Sequence, residues 1–588
     1  MNIFVLWQEL GSPRQRIDAG AVAARLHRTF SPFFDELPDA QARSLPTAKL
    51  ASVELPVGGF KAPAHGSDDS TWAYAPQYPI NAARALADAG APAGEGHVLP
   101  ALGRALEAQP HRMLRELAPP FALIWAAHDS ASVFVQTDGL GHATLYEYRD
   151  ETTWALTNRP FALSALGVPL EPDPEQWAVR SVLGWFPGSM TGFRNVRYLP
   201  PGTQLRLAAD GVREARHDVL ADWVGVPTVS REASLDLARD SLLELVDGAG
   251  PLVERPYLSL SGGWDSRAVL AVVASSGVPF DARVRGPEDH RDVMSARRLA
   301  AAGGFDLEAR HSASLPPADH ESCRAQILRA LIWQAGGRNA HKHKTFEGRF
   351  RDGGAVGFSG QHGEIGRSPY LKKARKAGVA VGTDDGLLHH LTRKSAPFLR
   401  PSLREHAREA IREAIGEADR YGLTGLRRWY FFYLFERTRR WAATAQAAKP
   451  GFSITPFLNP GYIRAAFSMP DEDMTDNPFH RHIVDSLQPS WSTVPYANDL
   501  AEAQPAHAPA DADADRRPRW QRNGSRRFYD TGRYWEDVAQ PVLADALARD
   551  GFWTEIFDPP AARRDWRHEP DELAVVCLLP EALALASG

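Results

Sequence analysis

The stretch Tyr257-Leu-Ser-Leu-Ser-Gly-Gly-Trp-Asp-Ser266, continuing Arg-Ala-Val-Leu-Ala-Val-Val-Ala-Ser-Ser-Gly277, places glycines, hydroxyls and a carboxylate between two apolar runs. A short strand enters Ser261-Gly262-Gly263, and an apolar helix leaves it, stopped by Gly277 at the usual C′ position. Glycines at such a junction let main-chain N–H groups approach an anion closely. The helix N-terminus adds partial positive charge, and the Ser261 and Ser266 hydroxyls add donors. Asp265 beside a bound phosphate makes chemical sense when a divalent cation bridges the two. A bare Gly-Gly would be an ordinary strand-to-helix turn. The full Ser-Gly-Gly-x-Asp-Ser pattern predicts a phosphate cradle.

The elements that must position this turn differ along the chain. Residues 1–210 read as an antiparallel sheet with some helix: Phe121–Ala126, Val133–Gln136, Thr144–Tyr148 and Trp154–Thr157 are short apolar runs. The turn Asp138-Gly139-Leu140-Gly141 supplies the positive φ that tight hairpins need. After Leu199-Pro-Pro-Gly202 helices dominate. Ser234 is the expected cap of a helix with Leu235, Ala238, Leu242, Leu245 and Val246 on its apolar face. Residues 501–519, rich in Ala, Pro and Asp, predict a flexible loop, and a short helical tail with Leu543–Leu547 closes the chain.

Composition narrows the function further. The 588 residues allow two to four domains, with 44% hydrophobic and 24% charged residues as in ordinary globular proteins. A net charge of −5 argues against a nucleic-acid binder driven by bulk charge. The two cysteines, Cys323 and Cys577, cannot build a disulfide framework or a four-thiolate zinc site. No apolar run is long enough for a membrane span. The start lacks the basic region of a signal peptide, so a cytoplasmic enzyme is the expectation.

Residues 257–266 resemble the pyrophosphate-binding loop of the asparagine synthetase superfamily, the N-type ATP pyrophosphatases. Three further segments follow that family's pattern in the right order. Leu199-Pro-Pro-Gly202 is similar to its Leu-Pro-Pro-Gly, and Phe358-Ser-Gly-Gln-His-Gly-Glu364 to its second metal-binding loop. Thr455-Pro-Phe-Leu-Asn459, with Ser468-Met-Pro470, is similar to its Pro-Phe-Leu-Asp segment. The resemblance implies an α/β chain: an N-terminal Ntn-hydrolase-like αββα sandwich over 1–210, a degenerate amidotransferase-like domain. A C-terminal adenine-nucleotide α-hydrolase-like (PP-loop) domain with a parallel sheet would occupy 230–588, with its flexible loop at about 500–519. It further implies ATP and Mg²⁺, with Ser261, Gly262, Gly263, Asp265, Ser266, Gly286 and Gly360 at the nucleotide, and Asp265 and Glu364 as metal ligands.

Departures from the family pattern shift the expected reaction. Glutamine-dependent members carry a nucleophilic Cys after the initiator Met, whereas residue 2 here is Asn, and an amide cannot replace a thiolate. The attacking amine is therefore expected on the substrate itself. No Lys follows Lys449, so the family's late catalytic Lys has no counterpart; Arg481, Arg516, Arg517 or Arg519 would have to supply that charge, as a different donor fork. Gln361 stands where β-lactam synthetases have a basic Tyr, which makes His362 the candidate base, or else an ordinary hydrogen-bonding histidine. His341–Lys344 reads as a solvated basic strip or an anion contact. Asp292 reads as a family-like acidic position or a first-turn carboxylate. Arg437, Arg439 and Arg440 with Trp441 read as substrate-facing residues or a surface face.

Among members without the nucleophilic Cys, the chain most resembles the lasso peptide cyclases. The implied reaction adenylates an Asp or Glu side chain of a precursor peptide and closes a macrolactam onto the N-terminal amine. The implied partners are the core peptide, a leader-binding protein and a leader peptidase. A β-lactam synthetase-like enzyme, an ammonia- or amine-dependent amide ligase, and a non-catalytic synthetase-like scaffold are the alternatives.

Overall fold

The computed structural model describes residues 2–10, 17–94, 96–129, 131–286, 288–310, 320–337, 349–376, 378–393, 398–447, 449–500, 540–566 and 570–587. The expected flexible loop at 500–519 beyond Leu500, the strip His341–Lys344, and Arg516, Arg517 and Arg519 lie outside the described residues.

The first half builds two six-stranded antiparallel sheets. One runs in the order β10 (Val196–Tyr198), β8 (Tyr146–Arg149), β9 (Thr153–Thr157), β1 (Ile3–Glu9), β3 (Lys49–Val53), β2 (Gln41–Ser44). The other runs β12 (Gly211–Arg216), β11 (Thr203–Ala208), β7 (Val133–Thr137), β6 (Ala122–Ala127), β5 (Thr71–Gln77), β4 (His65–Ser67). The period-two alternation of each strand decides the layering. In β1, Phe4 and Leu6 face the second sheet and pack with Tyr74, Ile124, Val135 and Leu205. Ile3, Val5 and Trp7 face the opposite way, in one cluster with Val22, Leu26 and Phe30 of the helix Ala19–Phe30. Trp125 and Phe134 on the outer face of the second sheet pack with Leu102 and Leu106 of the helix Val98–Ala108. The result is helix, sheet, sheet, helix. Asn2 is buried at the start of β1: its Oδ1 accepts from the Leu55 N–H (3.1 Å) and its carbonyl from Asn158 Nδ2 (2.6 Å).

The second half opens with the helix Arg231–Ala249. Its cap is Ser230, whose hydroxyl accepts from the Ala233 N–H at 3.2 Å; Ser234, the expected cap, sits on the buried face against Ser468. The five apolar residues foreseen on that face are all buried. A five-stranded, wholly parallel sheet follows, in the order β15 (Leu307–Arg310), β14 (Asp281–Arg285), β13 (Tyr257–Leu260), β16 (Val356–Phe358), β17 (Phe452–Ile454). Successive strands step one way from β13 to β15, and then β16 returns to the other side of β13. That reversal opens a crevice outside the carboxyl ends of β13 and β16, the place where open parallel sheets bind ligands.

The halves are stitched together. Bridges join Phe34 to Phe350, Gly58 to Ala355 and Phe60 to Val253. Buried Arg159 donates to the carbonyls of Trp333 (3.1 Å) and Ala447 (3.0 Å). A π-helical segment, Tyr433–Ala442, buries Arg439 and Arg440, which bind the carbonyls of Gly188, Phe186 and Met190.

Candidate active site

The two sequence motifs occupy the two sides of that crevice. β13 ends into Ser261-Gly262-Gly263 and the helix Trp264–Ser275, and β16 ends into Ser359-Gly360-Gln361 and the short helix Gly363–Arg367. In the first turn the Ser261 N–H donates to Ser266 Oγ (3.1 Å), and the Gly263 N–H to Ser261 Oγ (3.2 Å). The helix Trp264–Ser275 has no side-chain cap, so its first N–H groups are left for an outside acceptor. One anionic oxygen already sits on the turn: Asp292 Oδ1 accepts from the Gly262 N–H at 2.7 Å.

The glycines are there because the walls touch. A Cβ on Gly262 would lie 2.2 Å from Ala497 Cβ, in the segment that crosses the turn. On Gly360 it would lie 2.8 Å from the Ser266 nitrogen, and on Gly363 2.3 Å from Asp265 Oδ1. The second loop is thus pressed onto the first at the level of Asp265. Arg367 Nη2 donates to Asp265 Oδ2 at 2.7 Å and lies 3.6 Å from Glu364 Oε1, joining the two carboxylates through one guanidinium. On the other side, His480 Nε2 lies 2.8 Å from Asp265 Oδ1, without the alignment of a hydrogen bond, and His480 is fully buried. The Tyr433 hydroxyl is held well above its ordinary pKa by burial and by the Glu364 carboxylate.

These residues fit a nucleotide phosphate and a magnesium ion in kind. The uncapped helix start and the Gly262 N–H, already in contact with a carboxylate oxygen, are an anion seat. Mg²⁺ is ordinarily held by one or two carboxylates together with phosphate oxygens and water. Asp265 and Glu364, both beside the Arg367 guanidinium, are carboxylates of that kind. Among the described residues no group of three or more His, Cys, Asp or Glu forms a cage, so the other ligands would come from phosphate and water.

The other expected residues are placed as follows. Arg481 is half exposed, and its guanidinium lies 4.7 Å from the centre of the Trp264 ring, on the turn itself. Gly286 lies at the carboxyl end of β14 with φ +144°, but its N–H is spent on the Arg310 carbonyl (3.0 Å). His362 requires a correction. It is buried in the left-handed conformation, its ring 4.9 Å from that of His142 and its Nε2 3.1 Å from Gln446 Nε2. Burial, reinforced by His142, pushes its pKa well below the ordinary value, so it is a packed neutral imidazole and not a base facing substrate. Arg439 and Arg440 are buried ties to the 186–190 loop, not substrate-facing groups. Three residues of the site went unforeseen: Arg367, His480 and Tyr433. Arg367, three positions past Glu364 on one helical turn, carried a charge-pairing signal; the other two carried none.

No protein-family model matches the chain, and neither does any curated protein. Among solved structures it is similar to the glutamine phosphoribosylpyrophosphate amidotransferase of B. subtilis complexed with ADP and GMP. That match has 10% identity and a TM-score of 0.25, over 54% of this chain and 83% of that one. It is also similar to an allosteric regulatory enzyme of purine biosynthesis, with 11% identity and a TM-score of 0.25, over 54% and 82%. At those values neither match carries an inference about this chain's activity.

Proposed function

We propose that the chain is an ATP-dependent, AMP-forming amide-bond synthetase. The observation that carries this reading is the meeting of the Ser261–Ser266 turn with the Gly360–Glu364 loop at the sheet's switch point, with Asp265 and Glu364 on either side of one cation. A carboxylate is a poor electrophile, because its leaving group would be oxide. In the proposed reaction a substrate carboxylate oxygen attacks the α-phosphorus of ATP, the Pα–O–Pβ link breaks, and pyrophosphate leaves. An amine then attacks the acyl carbon, AMP departs, and the amine proton passes to solvent or to a carboxylate. Bound Mg²⁺ would supply charge neutralisation for the pyrophosphate, and Asp265 and Glu364 are the residues to hold it. The turn N–H groups, the Ser261 and Ser266 hydroxyls and Arg481 on Trp264 would orient the phosphates.

Residue 2 supports a substrate that brings its own amine. Asn2 accepts from the Leu55 N–H and from Asn158 Nδ2 and carries an amide in place of a thiol, so residue 2 offers no nucleophile to release ammonia from an amide. Closure of a macrolactam within one peptide, as in the lasso peptide cyclases, is the version we propose first. A scaffold without catalysis is the second reading, favoured by Asp292 on the Gly262 N–H and by Ala497 over the turn. Exchange of labelled pyrophosphate into ATP, with Mg²⁺ and peptides bearing Asp or Glu side chains, separates them. Carboxylate-dependent exchange supports the synthetase, and none with any peptide or small acid supports the scaffold.

A further inference from the structure

The turn after β13 holds its shape without help from the carboxylate that sits on it. The Ser261 N–H donates to Ser266 Oγ and the Gly263 N–H to Ser261 Oγ, and the Gly262 carbonyl accepts from the Ala497 N–H at 2.8 Å. Residues 261–263 are thus tied on both sides of the Gly262 N–H, and these ties fix its direction. That N–H donates to Asp292 Oδ1 at 2.7 Å, from a residue 30 positions away in the chain. Asp292 is the movable member of the pair. It stands in the first turn of the helix Arg291–Gly303 with its side chain 34% exposed. Rotated outward, the carboxylate would reach water and would still lie near the positive end of its own helix.

The charge of Asp292 also differs from that of the other two carboxylates of the site. Asp265 and Glu364 share the Arg367 guanidinium, at 2.7 and 3.6 Å. Asp292 pairs with no Lys or Arg among the described residues. His290 Nδ1 lies 3.7 Å from Asp292 Oδ2, but that nitrogen accepts from the Asp292 N–H at 3.2 Å, so it presents a lone pair and not a proton. The Gly262 N–H has one hydrogen to give. A phosphate oxygen that takes it must stand where Asp292 Oδ1 now stands, close to an uncompensated negative charge. The repulsion between the two grows with the charge on the incoming group. Free ATP carries more negative charge than its Mg²⁺ complex, so it meets the larger penalty.

We infer that Asp292 is a specificity-determining residue of the turn: it competes with phosphate for the Gly262 N–H and so selects a cation-neutralised polyphosphate over the free anion. With the seat empty the carboxylate caps the N–H, and with the seat filled it turns outward. A scaffold would keep the same contact permanently, whereas here phosphate replaces it. This rests on the synthetase reading, which makes the turn a nucleotide site.

Equilibrium dialysis of labelled ATP against the full-length chain, once with excess Mg²⁺ and once with EDTA, gives the two affinities and their ratio. Asp292→Asn keeps an oxygen for the Gly262 N–H and removes the charge. It should tighten binding of free ATP about tenfold and of the Mg²⁺ complex by much less, so that the preference for the complex falls about fivefold. Asp292→Glu keeps the charge and should keep most of the preference. Far-ultraviolet melts show that each variant is folded. No tightening of free ATP in Asp292→Asn, an equal gain for the Mg²⁺ complex, or a preference lost as fully in Asp292→Glu as in Asp292→Asn overturns the inference. Any of these results beside Mg²⁺-dependent ATP binding by the parent defeats this inference alone and leaves the nucleotide site standing. No ATP binding by the parent or the variants in either buffer defeats the nucleotide reading, and this inference with it.

Discussion

Replacing Gly262 by Ala probes the seal over the turn. The new Cβ would lie 2.2 Å from Ala497 Cβ and 3.0 Å from both Ala497 Cα and N. Carbon atoms pack at about 3.5–4.0 Å, so the crossing segment has to retreat by roughly 1.5 Å. It is not free to do so. The Ala497 N–H donates to the Gly262 carbonyl at 2.8 Å. Arg267 donates to the carbonyls of Val494 (2.5 Å) and Pro495 (3.0 Å), and the Tyr496 ring lies against Trp264 with centroids 3.6 Å apart. A lost hydrogen bond is worth about 1 kcal/mol and overpacking about 1–3 kcal/mol, so Gly262→Ala should destabilise by about 2–4 kcal/mol. Ala497→Gly removes only the nearest atom and alone should cost about 0.5–1 kcal/mol. In the double variant the contacts to Ala497 Cα and N persist, so rescue is partial, with a coupling of about 1–2 kcal/mol. Urea unfolding of the four proteins measures the cycle. Additivity to within about 0.5 kcal/mol would show that the segment does not press on the turn.

Three further outcomes follow from the same geometry. Arg367→Met removes the guanidinium from Asp265 and should cost about 1.5–3 kcal/mol. Mg²⁺ should then stabilise the variant more than the parent in thermal melts, and an equal Mg²⁺ effect would contradict the shared cation position. His142 and His362 are buried and held below the ordinary value of 6.5, His142 at about 3. The unfolded chain therefore takes up protons that the folded one refuses. Stability should be level above about pH 6.5 and fall below it by about 1.4 kcal/mol per pH unit per histidine, and His142→Gln should flatten that slope in urea titrations. Asp138 is buried and accepts from the N–H groups of Phe121, Leu140, His142 and Ala143. Asp138→Asn should cost about 2–4 kcal/mol, because the amide nitrogen cannot accept from the donors it faces; a change under 1 kcal/mol in chemical unfolding would contradict this.

The chemistry was most legible where it is local. Ser261–Ser266 declares itself because glycine, hydroxyl, carboxylate and helix start fall within six consecutive positions, and the structure sets them at the end of β13. The antiparallel strands between 121 and 157 were legible for the same reason: alternation and turn residues are short-range signals. The contacts that finish the site are long-range. Arg367 is 102 positions from Asp265, and His480 and Tyr433 arrive on helices with no motif of their own. His362 leaves two readings open in the sequence because its neighbours there are loop residues, while His142 and Gln446, which pack against it, are far away in the chain. Ser230 and Ser234 offer the same capping chemistry, and only the packing of Ser468 against Ser234 separates them. β17, three residues long, pairs in parallel with β16 across a separation of about a hundred positions that no local pattern announces.

Calorimetric titration of ATP into the full-length protein, with and without Mg²⁺, tests the central claim most directly when repeated on Asp265→Asn. The account predicts Mg²⁺-dependent binding that weakens at least tenfold in the variant while a far-ultraviolet melt shows it folded. Binding of equal strength in both proteins, or no ATP binding at all by the parent chain, would contradict it.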